Sequence, residues 1–147
     1  MITRRIALAM LLATVAHPLS ASEPTIYKGN NNVAVNGYDV VSYFTDSRHV
    51  VGKPAFSADW MGAVWQFSSA ANRDMFVATP EAYAPQYGGH CAYAAAQGAL
   101  ASTVPEAWSI IEGKLYLNYS LGVRDLWRQD IAGNIALADS NWPGLSQ

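Results

Sequence analysis

The segment Gly62–Tyr93 is the part of the sequence that most constrains the fold. It reads GAVWQFSSAANRDMFVATPEAYAPQYGGHCAY, which places a strand, a helix and a proline-rich turn in immediate succession. Ser69 is a favourable N-cap for the helix, and Pro80 suits the first position of a further helical turn. A double glycine then precedes Cys91, the one cysteine of the chain. Elements this short bury their apolar faces only if the helices pack directly against the strands.

Short hairpins are predicted on both sides of this segment's helices. The first pairs Pro54–Trp60 with Val64–Phe67, and the second pairs Ala107–Ile111 with Lys114–Tyr119 around a Glu-Gly turn. A final helix is predicted over Leu121–Ala138 from the spacing of its apolar residues. The expected fold class is therefore α+β: a small single domain of short antiparallel β-hairpins packed with helices.

The helical spacing also predicts which side chains face the core. In the helix after Ser69, Met75 and Phe76 are expected to point inward. In the final helix, Gly133 is expected to produce a kink. The residues of that helix expected to face inward are Leu121, Leu126, Trp127 and Ile131.

Two shorter helices complete the predicted elements. The first lies within Tyr38–Phe44, and Asp39 belongs to its N-cap neighbourhood. The second covers Cys91–Gln97, an alanine-rich stretch of high helix propensity, and Gly98 is expected to end it. This second helix places Cys91 in a first helical turn.

The N-terminus has the pattern of a secretory signal. Arg4 and Arg5 precede the apolar run Ile6–Ala16, and Leu19–Ala21 provides a cleavage site. The run is too short to span a bilayer, so we expect a periplasmic or secreted protein without a membrane anchor in its mature form. The sequence is thus divided into a signal peptide (1–21), a flexible leader (22–32) and a folded domain (33–147).

The net charge and the cysteine count argue against two features, a nucleic-acid partner and an internal disulfide. Nine basic and eleven acidic residues give a formal charge of −2. Loss of Arg4 and Arg5 with the signal leaves seven basic against eleven acidic residues, a charge of −4. No basic patch remains, which argues against a nucleic-acid partner. A single cysteine cannot close an internal disulfide, so its thiol is free, metal-bound, buried or paired with another molecule.

Cys91 is the main candidate for chemistry. The first turn of a helix favours the thiolate, the form that binds metals and attacks electrophiles. His90 is its neighbour, and the irregular backbone that Gly88 and Gly89 permit would let both reach one metal ion. His49, in a polar loop, is a candidate for a further ligand. Three alternatives stay open: Cys91 packed among alanines, Cys91 as a redox thiol, and His90 satisfied by a backbone carbonyl.

Aromatic residues around the double glycine suggest a small ligand pocket. Its candidate lining residues are Tyr83, Tyr87, Tyr93, Gly88, Gly89 and Asp39. The other interpretation is core packing, which is also expected of the five tryptophans because they are spread over every element. The carboxylates form no spaced pair, and no catalytic motif occurs, so the sequence does not indicate an enzyme.

One set of residues resembles a known family, the YHS domain. The resemblance is carried by Gly62, Trp65, Phe67, Ser68, Ser69, Phe76, Pro80 and Tyr83. The segments NGYDVVSYF, APQYGGHCAY and NWP are similar to the exported, stand-alone bacterial branch of that family. The resemblance extends from about Val33 to Trp142, nearly the whole of the expected mature chain.

The resemblance implies a metal-handling role in those members that carry cysteines at three positions. In this sequence those positions are Ser42, Ser68 and Asn72. Neutral hydroxyl and amide groups do not replace the thiolate or imidazole ligands of soft-metal and zinc sites. The family's thiolate metal role is therefore not expected at this location.

These observations lead to two main hypotheses of function. The first is a small periplasmic, non-enzymatic protein that binds a metal ion (copper first, or zinc) or a metal cofactor near Cys91 and His90. His49, Asp39, a tyrosine or a second molecule would supply a further ligand. The second is an interaction module for a protein or envelope component, with a lost metal site and a structural Cys91. A third hypothesis is single-cysteine redox chemistry with an external thiol.

Overall fold

Two antiparallel hairpins and six helices form the fold in the computed structural model, which describes residues 25–147. The signal peptide predicted for 1–21 lies outside the described residues. The elements are α1 (Ser42–Thr45), β1 (Lys53–Trp60), β2 (Ala63–Phe67), α2 (Ala70–Ala78), α3 (Pro80–Tyr83), α4 (Ala92–Ala96), β3 (Trp108–Ile111), β4 (Lys114–Leu117), α5 (Leu121–Arg128) and α6 (Ile131–Leu145). Short 3-10 segments cover Asn30–Asn32, Val35–Gly37 and Gln86–Gly89. The predicted α+β class is confirmed.

Both hairpins close through tight two-residue turns. β1 pairs with β2 and β3 pairs with β4, each antiparallel. Met61 and Gly62 have φ values of 50° and 70°, and Glu112 and Gly113 have values of 49° and 74°. Two successive positive φ angles are the geometry of the type I′ turn, whose twist matches that of the strands it joins. The predicted positions of both hairpins are therefore correct.

Strand β4 separates two hydrophobic clusters. Its Leu115 and Leu117 side chains belong to the first core cluster, and Tyr116 between them belongs to the second. Alternate residues of a strand point to opposite faces, so one strand supplies both clusters. The first core cluster includes Val40, Val41, Tyr43, Trp65, Phe67 and Phe76. The second core cluster includes Tyr87, Ala92, Ala95, Trp127 and Ala138.

Helix α2 follows the prediction in its start after Ser69 and in one of its two inward residues. Ser69 caps it, since the Ser69 side chain accepts a hydrogen bond from the Asn72 amide at 3.1 Å. Phe76 is buried in the first core cluster, but Met75 is 38% exposed. Consecutive residues of a helix point about 100° apart, so only one of the two faces the core. The prediction for Met75 is wrong.

The long C-terminal helix is in fact two helices. Asp130 interrupts it and caps α6, because its carboxylate accepts a hydrogen bond from the Gly133 amide at 3.0 Å. The predicted kink at Gly133 is wrong: this glycine lies in the first turn, where a Cβ would collide with the Asp130 carboxylate. Leu121 and Leu126 are each 47% exposed, contrary to prediction, because α5 ends at Arg128 and turns only Trp127 fully inward.

The first described residues are attached to the body of the protein. Ile26 is buried, and the Tyr27 amide donates to the Gly88 carbonyl at 2.8 Å. This part of the predicted leader therefore lies against the body rather than free of it. Within residues 25–147, no helix has the length and apolar character needed to cross a membrane.

Candidate functional site

The turn before Cys91 is built by three residues with positive φ. Tyr87, Gly88 and Gly89 have φ values of 57°, 62° and 82°. A Cβ on Gly88 would collide with the Thr25 carbonyl, and one on Gly89 would collide with the Val35 side chain. Glycine is required here because it adopts positive φ freely and leaves room for a neighbour. The space beside each missing side chain is therefore filled by the protein's own atoms, the Thr25 backbone at Gly88 and the Val35 side chain at Gly89.

The Cys91 sulfur atom is enclosed and hydrogen-bonded. Cys91 is 1% exposed and is the N-cap residue of α4. Its Sγ–H donates to the Asn118 Oδ1 at 3.5 Å, and its Sγ accepts from the Tyr119 amide at 3.3 Å. The same Asn118 oxygen accepts from the Tyr93 amide at 3.1 Å. The thiol therefore joins the start of α4 to the chain that follows β4.

His90 is buried beside the same turn with one nitrogen unused. Its ring centroid lies 5.7 Å from that of Tyr27 and 6.3 Å from that of Trp142. Among the described residues, its Nε2 atom has no hydrogen-bond partner. Burial lowers the pKa of the imidazole, and a hydrogen bond with the Ala101 backbone opposes that change. A lowered pKa keeps His90 neutral at neutral pH, the form in which imidazole binds metals.

The third proposed metal ligand lies elsewhere. His49 is exposed in the loop before β1, where its ring centroid is 6.0 Å from that of Tyr38. Asp39 is also occupied at a different place. Over residues 25–147, no group of three or more His, Cys, Asp or Glu side chains is arranged to hold a metal ion. The structure thus keeps Cys91 and His90 as neighbours but does not bring His49 to them.

Asp39 is a buried carboxylate with both oxygens fully used. Its Oδ1 accepts from the Val41 amide at 2.9 Å and from the Ser42 amide at 3.3 Å. Its Oδ2 accepts from the Ser68 amide at 2.8 Å, the Ser68 hydroxyl at 2.6 Å and the Asn72 side-chain amide at 2.8 Å. The carboxylate is completely inaccessible to solvent. Backbone and side-chain donors therefore compensate its charge in place of a cation.

The donors to Asp39 are a group that sequence analysis names but does not connect. Ser42, Ser68 and Asn72 are the three positions at which the resemblance places cysteines, and all three bond to this one carboxylate. The resemblance groups these three positions in the sequence, but nothing in the local pattern identifies Asp39 as the acceptor that they share. Asp39 therefore does not belong to the pocket proposed around the double glycine.

The three candidate tyrosines are divided between the two core clusters. Tyr83 packs edge-on against Phe44 at 5.5 Å, beside the first core cluster. Tyr87 and Tyr93 belong with the second core cluster. The Tyr87 hydroxyl donates to the Asp139 carboxylate at 2.9 Å, and burial together with that bond raises the pKa of Tyr87. The three tyrosines thus pack with two different core clusters, as the core-packing interpretation expects.

The described part of the chain contains two cavities, and Gly88 is the one residue of the proposed ligand pocket that lines either of them. One of about 270 Å³, the tryptophan cavity, is lined by Ile26, Trp60, Met61, Glu81, Gly88 and Trp142 among others. The other, of about 440 Å³, is the isoleucine groove, lined by Ile111, Ile131, Ile135, Glu112 and Asp139 with two alanines. Each joins segments far apart in the chain, which is why neither is visible as a local pattern.

Two segments of the sequence, NGYDVVSYF and APQYGGHCAY, supply residues of the candidate site. The NGYDVVSYF segment contains Asp39 and Ser42, whose contact is part of the carboxylate site, the name used here for Asp39 and its donors Val41, Ser42, Ser68 and Asn72. The APQYGGHCAY segment contains the turn that positions His90 and Cys91. No family model, no curated protein and no solved structure matches the chain.

Proposed function

We propose that this chain is a small exported, non-enzymatic module of YHS type that binds a partner protein, with Cys91 as a structural residue. The observation that carries the structural role is the enclosure of the Cys91 sulfur atom. Asn118 and Tyr119 engage it from two directions, and it is 1% exposed. A metal or an incoming electrophile would have to displace both contacts, and catalytic cysteines are usually found in partly exposed positions.

The carboxylate site supports the same proposal. Ser68 and Asn72 stand where the resemblance implies thiolates, and both donate to Asp39. The Ser68 hydroxyl and the Asn72 side-chain amide, which would face a metal at these positions, are thus engaged in hydrogen bonds within the protein. This arrangement joins the N-terminus of α1 to the end of β2 and the start of α2. A lost metal site that has become a structural one accounts for these contacts.

The isoleucine groove is the surface that fits a partner. Ile111, Ile131 and Ile135 provide apolar walls, and the Glu112 and Asp139 carboxylates lie beside them. We propose that its occupant is a segment of a partner protein with an apolar side chain next to a lysine or arginine. The apolar side chain would fill the groove, and the basic residue would meet the carboxylates.

Thiol labelling tests the structural role of Cys91. In the native protein, labelling by a maleimide or disulfide reagent is expected to be on the order of 100-fold slower than in urea, because the sulfur atom is reached only through local opening. The mature chain is also expected to purify without stoichiometric copper or zinc. Any metal bound adventitiously is expected in equal amounts in the wild type and in Cys91→Ser, so comparing the two separates it from metal held by Cys91. Rapid native labelling without bound metal would contradict the proposal and favour redox chemistry.

A second candidate function is the binding of copper or zinc near Cys91 and His90. The observation that favours it is the buried Nε2 of His90, which has no hydrogen-bond partner within residues 25–147 and belongs to an imidazole that its lowered pKa keeps neutral. The same measurement separates the two candidates. Stoichiometric metal that is lost in both Cys91→Ser and His90→Gln would establish the second candidate at the expense of the first.

Site-specific photo-crosslinking tests the groove. A photoreactive amino acid at Ala136, which lines the groove, is expected to give one discrete adduct with another protein in the exporting cell. The same photoreactive amino acid placed at Ala71, an exposed alanine of α2, is the matched control and is expected to give no adduct. Glu112→Lys should remove the adduct because it reverses a charge beside the groove. Identical adducts at both alanines, or an adduct that Glu112→Lys leaves unchanged, would contradict the proposed surface.

A further inference from the structure

The tryptophan cavity combines two indole rings with the Glu81 carboxylate. Trp60 comes from the end of β1, Glu81 from α3 and Trp142 from α6. Both tryptophans are half-buried, whereas Ile26 at the cavity is buried. The volume of about 270 Å³ lies just below the usual range of about 300–1,000 Å³ for small-molecule sites, which suits a ligand of a few heavy atoms.

Packing outside the cavity holds both indoles in place. The Trp60 ring lies 5.7 Å from that of Trp65 and 5.7 Å from that of Phe76, perpendicular to the latter. The Trp142 ring lies 5.7 Å from that of Tyr87 and 6.3 Å from that of His90. These contacts fix the two rings before any ligand arrives. A preformed aromatic site loses little side-chain entropy on binding.

The rest of the lining is also held by specific backbone geometry. Met61 has a positive φ of 50°, an uncommon conformation for a long side chain. Gly88 lies against the Thr25 backbone, and its carbonyl accepts the Tyr27 amide. The cavity is thus bounded by a tight hairpin turn on one side and by the attached N-terminal segment on another.

Among residues 25–147, Glu81 is the only charged residue that lines the cavity. Within the described part of the chain, its carboxylate makes no ion pair, since the two salt bridges there join Arg73 to Asp74 and Arg124 to Asp125. The Lys28 ammonium group binds the Gly62 carbonyl at 3.2 Å at the adjoining turn and is not part of the lining. The charge offered to a ligand in the cavity is therefore negative.

We infer that the tryptophan cavity binds a small alkylated ammonium ion of the choline type. The face of an indole ring carries negative potential and attracts cations, and aromatic sites recognise quaternary ammonium groups in this way. The methyl groups of such an ion bury against the Trp60 and Trp142 rings while its charge meets the Glu81 carboxylate. A neutral ligand of the same shape gains the apolar contact but not the electrostatic one.

Titration with choline chloride at constant ionic strength tests this inference. The sequence has five tryptophans, so five indole N–H signals are expected in the NMR spectrum of the mature protein. The signals of Trp60 and Trp142 are expected to shift with saturation, and those of the other three are expected to stay in place. The tert-butyl analogue of choline, in which carbon replaces the charged nitrogen, is expected to bind at least about fivefold more weakly, the affinity change for about 1 kcal/mol of cation–π attraction.

Two variants and one control complete the test. Glu81→Gln removes the charge at an exposed position, and Trp142→Phe reduces the aromatic face; each is expected to weaken choline binding about fivefold. Asp46→Asn, an exposed carboxylate outside the lining, is expected to leave binding unchanged. Equal binding of choline and its neutral analogue, the absence of saturable shifts, or full binding by Glu81→Gln would each overturn the inference. Because Glu81 is exposed, its variant remains informative even if Trp142→Phe fails to fold.

Discussion

Asp39→Asn is expected to lower the free energy of unfolding by about 3–5 kcal/mol, because each buried donor left without an acceptor costs about 1–3 kcal/mol. The new amide has one oxygen in place of two. If its NH₂ group replaces Oδ2, it faces the donors of Ser68 and Asn72; if it replaces Oδ1, it faces the amides of Val41 and Ser42. Either orientation leaves at least two donors unpaired.

Urea denaturation of the mature chain measures this effect. Asp46→Asn makes the same chemical change at an exposed position and is expected to shift stability by less than about 0.5 kcal/mol. Ser68→Ala should have an intermediate effect, since it removes the hydroxyl bond to Asp39 but keeps the amide bond. If Asp39→Asn were as stable as Asp46→Asn, the carboxylate site would not be a major contributor to stability.

Phe76→Ala is expected to have the second large effect. It should lower the free energy of unfolding by about 3–5 kcal/mol, because it truncates a buried aromatic side chain. The Phe76 ring contacts three other rings, with centroid distances of 5.7 Å to Trp60, 5.2 Å to Trp65 and 5.0 Å to Phe67. These bulky neighbours are fixed by their own contacts, so they cannot collapse into the space left behind. The free-energy cost of the cavity that remains adds to the lost transfer free energy of the aromatic side chain.

Met75→Ala is the matched control for this experiment. It is the preceding residue of the same helix, but 38% of it is exposed. Its truncation is expected to cost less than about 1 kcal/mol, as is usual for partly exposed positions. Equal losses in the two variants would mean that α2 is rotated about its axis relative to the structure described above.

The elements of this fold that sequence analysis predicts correctly are those specified by adjacent residues. The turns at Met61-Gly62 and Glu112-Gly113 follow from a glycine between two apolar strands, and Ser69 and Pro80 start their helices by local hydrogen bonding and geometry. The break between α5 and α6 is also local, but the apolar spacing continues across it. The capping bond of Asp130 prevails over that spacing, and the inward assignments of Leu121 and Leu126 fail with it.

The candidate site is harder to predict because its contacts join distant residues. Cys91 stands out as the only cysteine, yet its partners Asn118 and Tyr119 lie 27 and 28 residues further along the chain. Asp39 likewise meets Ser68 and Asn72 across 29 and 33 residues. A local pattern can identify a reactive type of side chain but not what surrounds it in the fold. Burial and partners, which decide between a structural thiol and a metal ligand, come only from the tertiary structure.

The position of β4 between the two core clusters has a consequence for the whole molecule. A slip of one residue in its pairing with β3 would exchange Tyr116 with its leucine neighbours, so that both clusters would receive side chains of the wrong size at once. Neither half of the protein can rearrange at this strand while the other keeps its packing. The β3–β4 hairpin is therefore shared by the two core clusters, so that unfolding of one cluster is coupled to unfolding of the other.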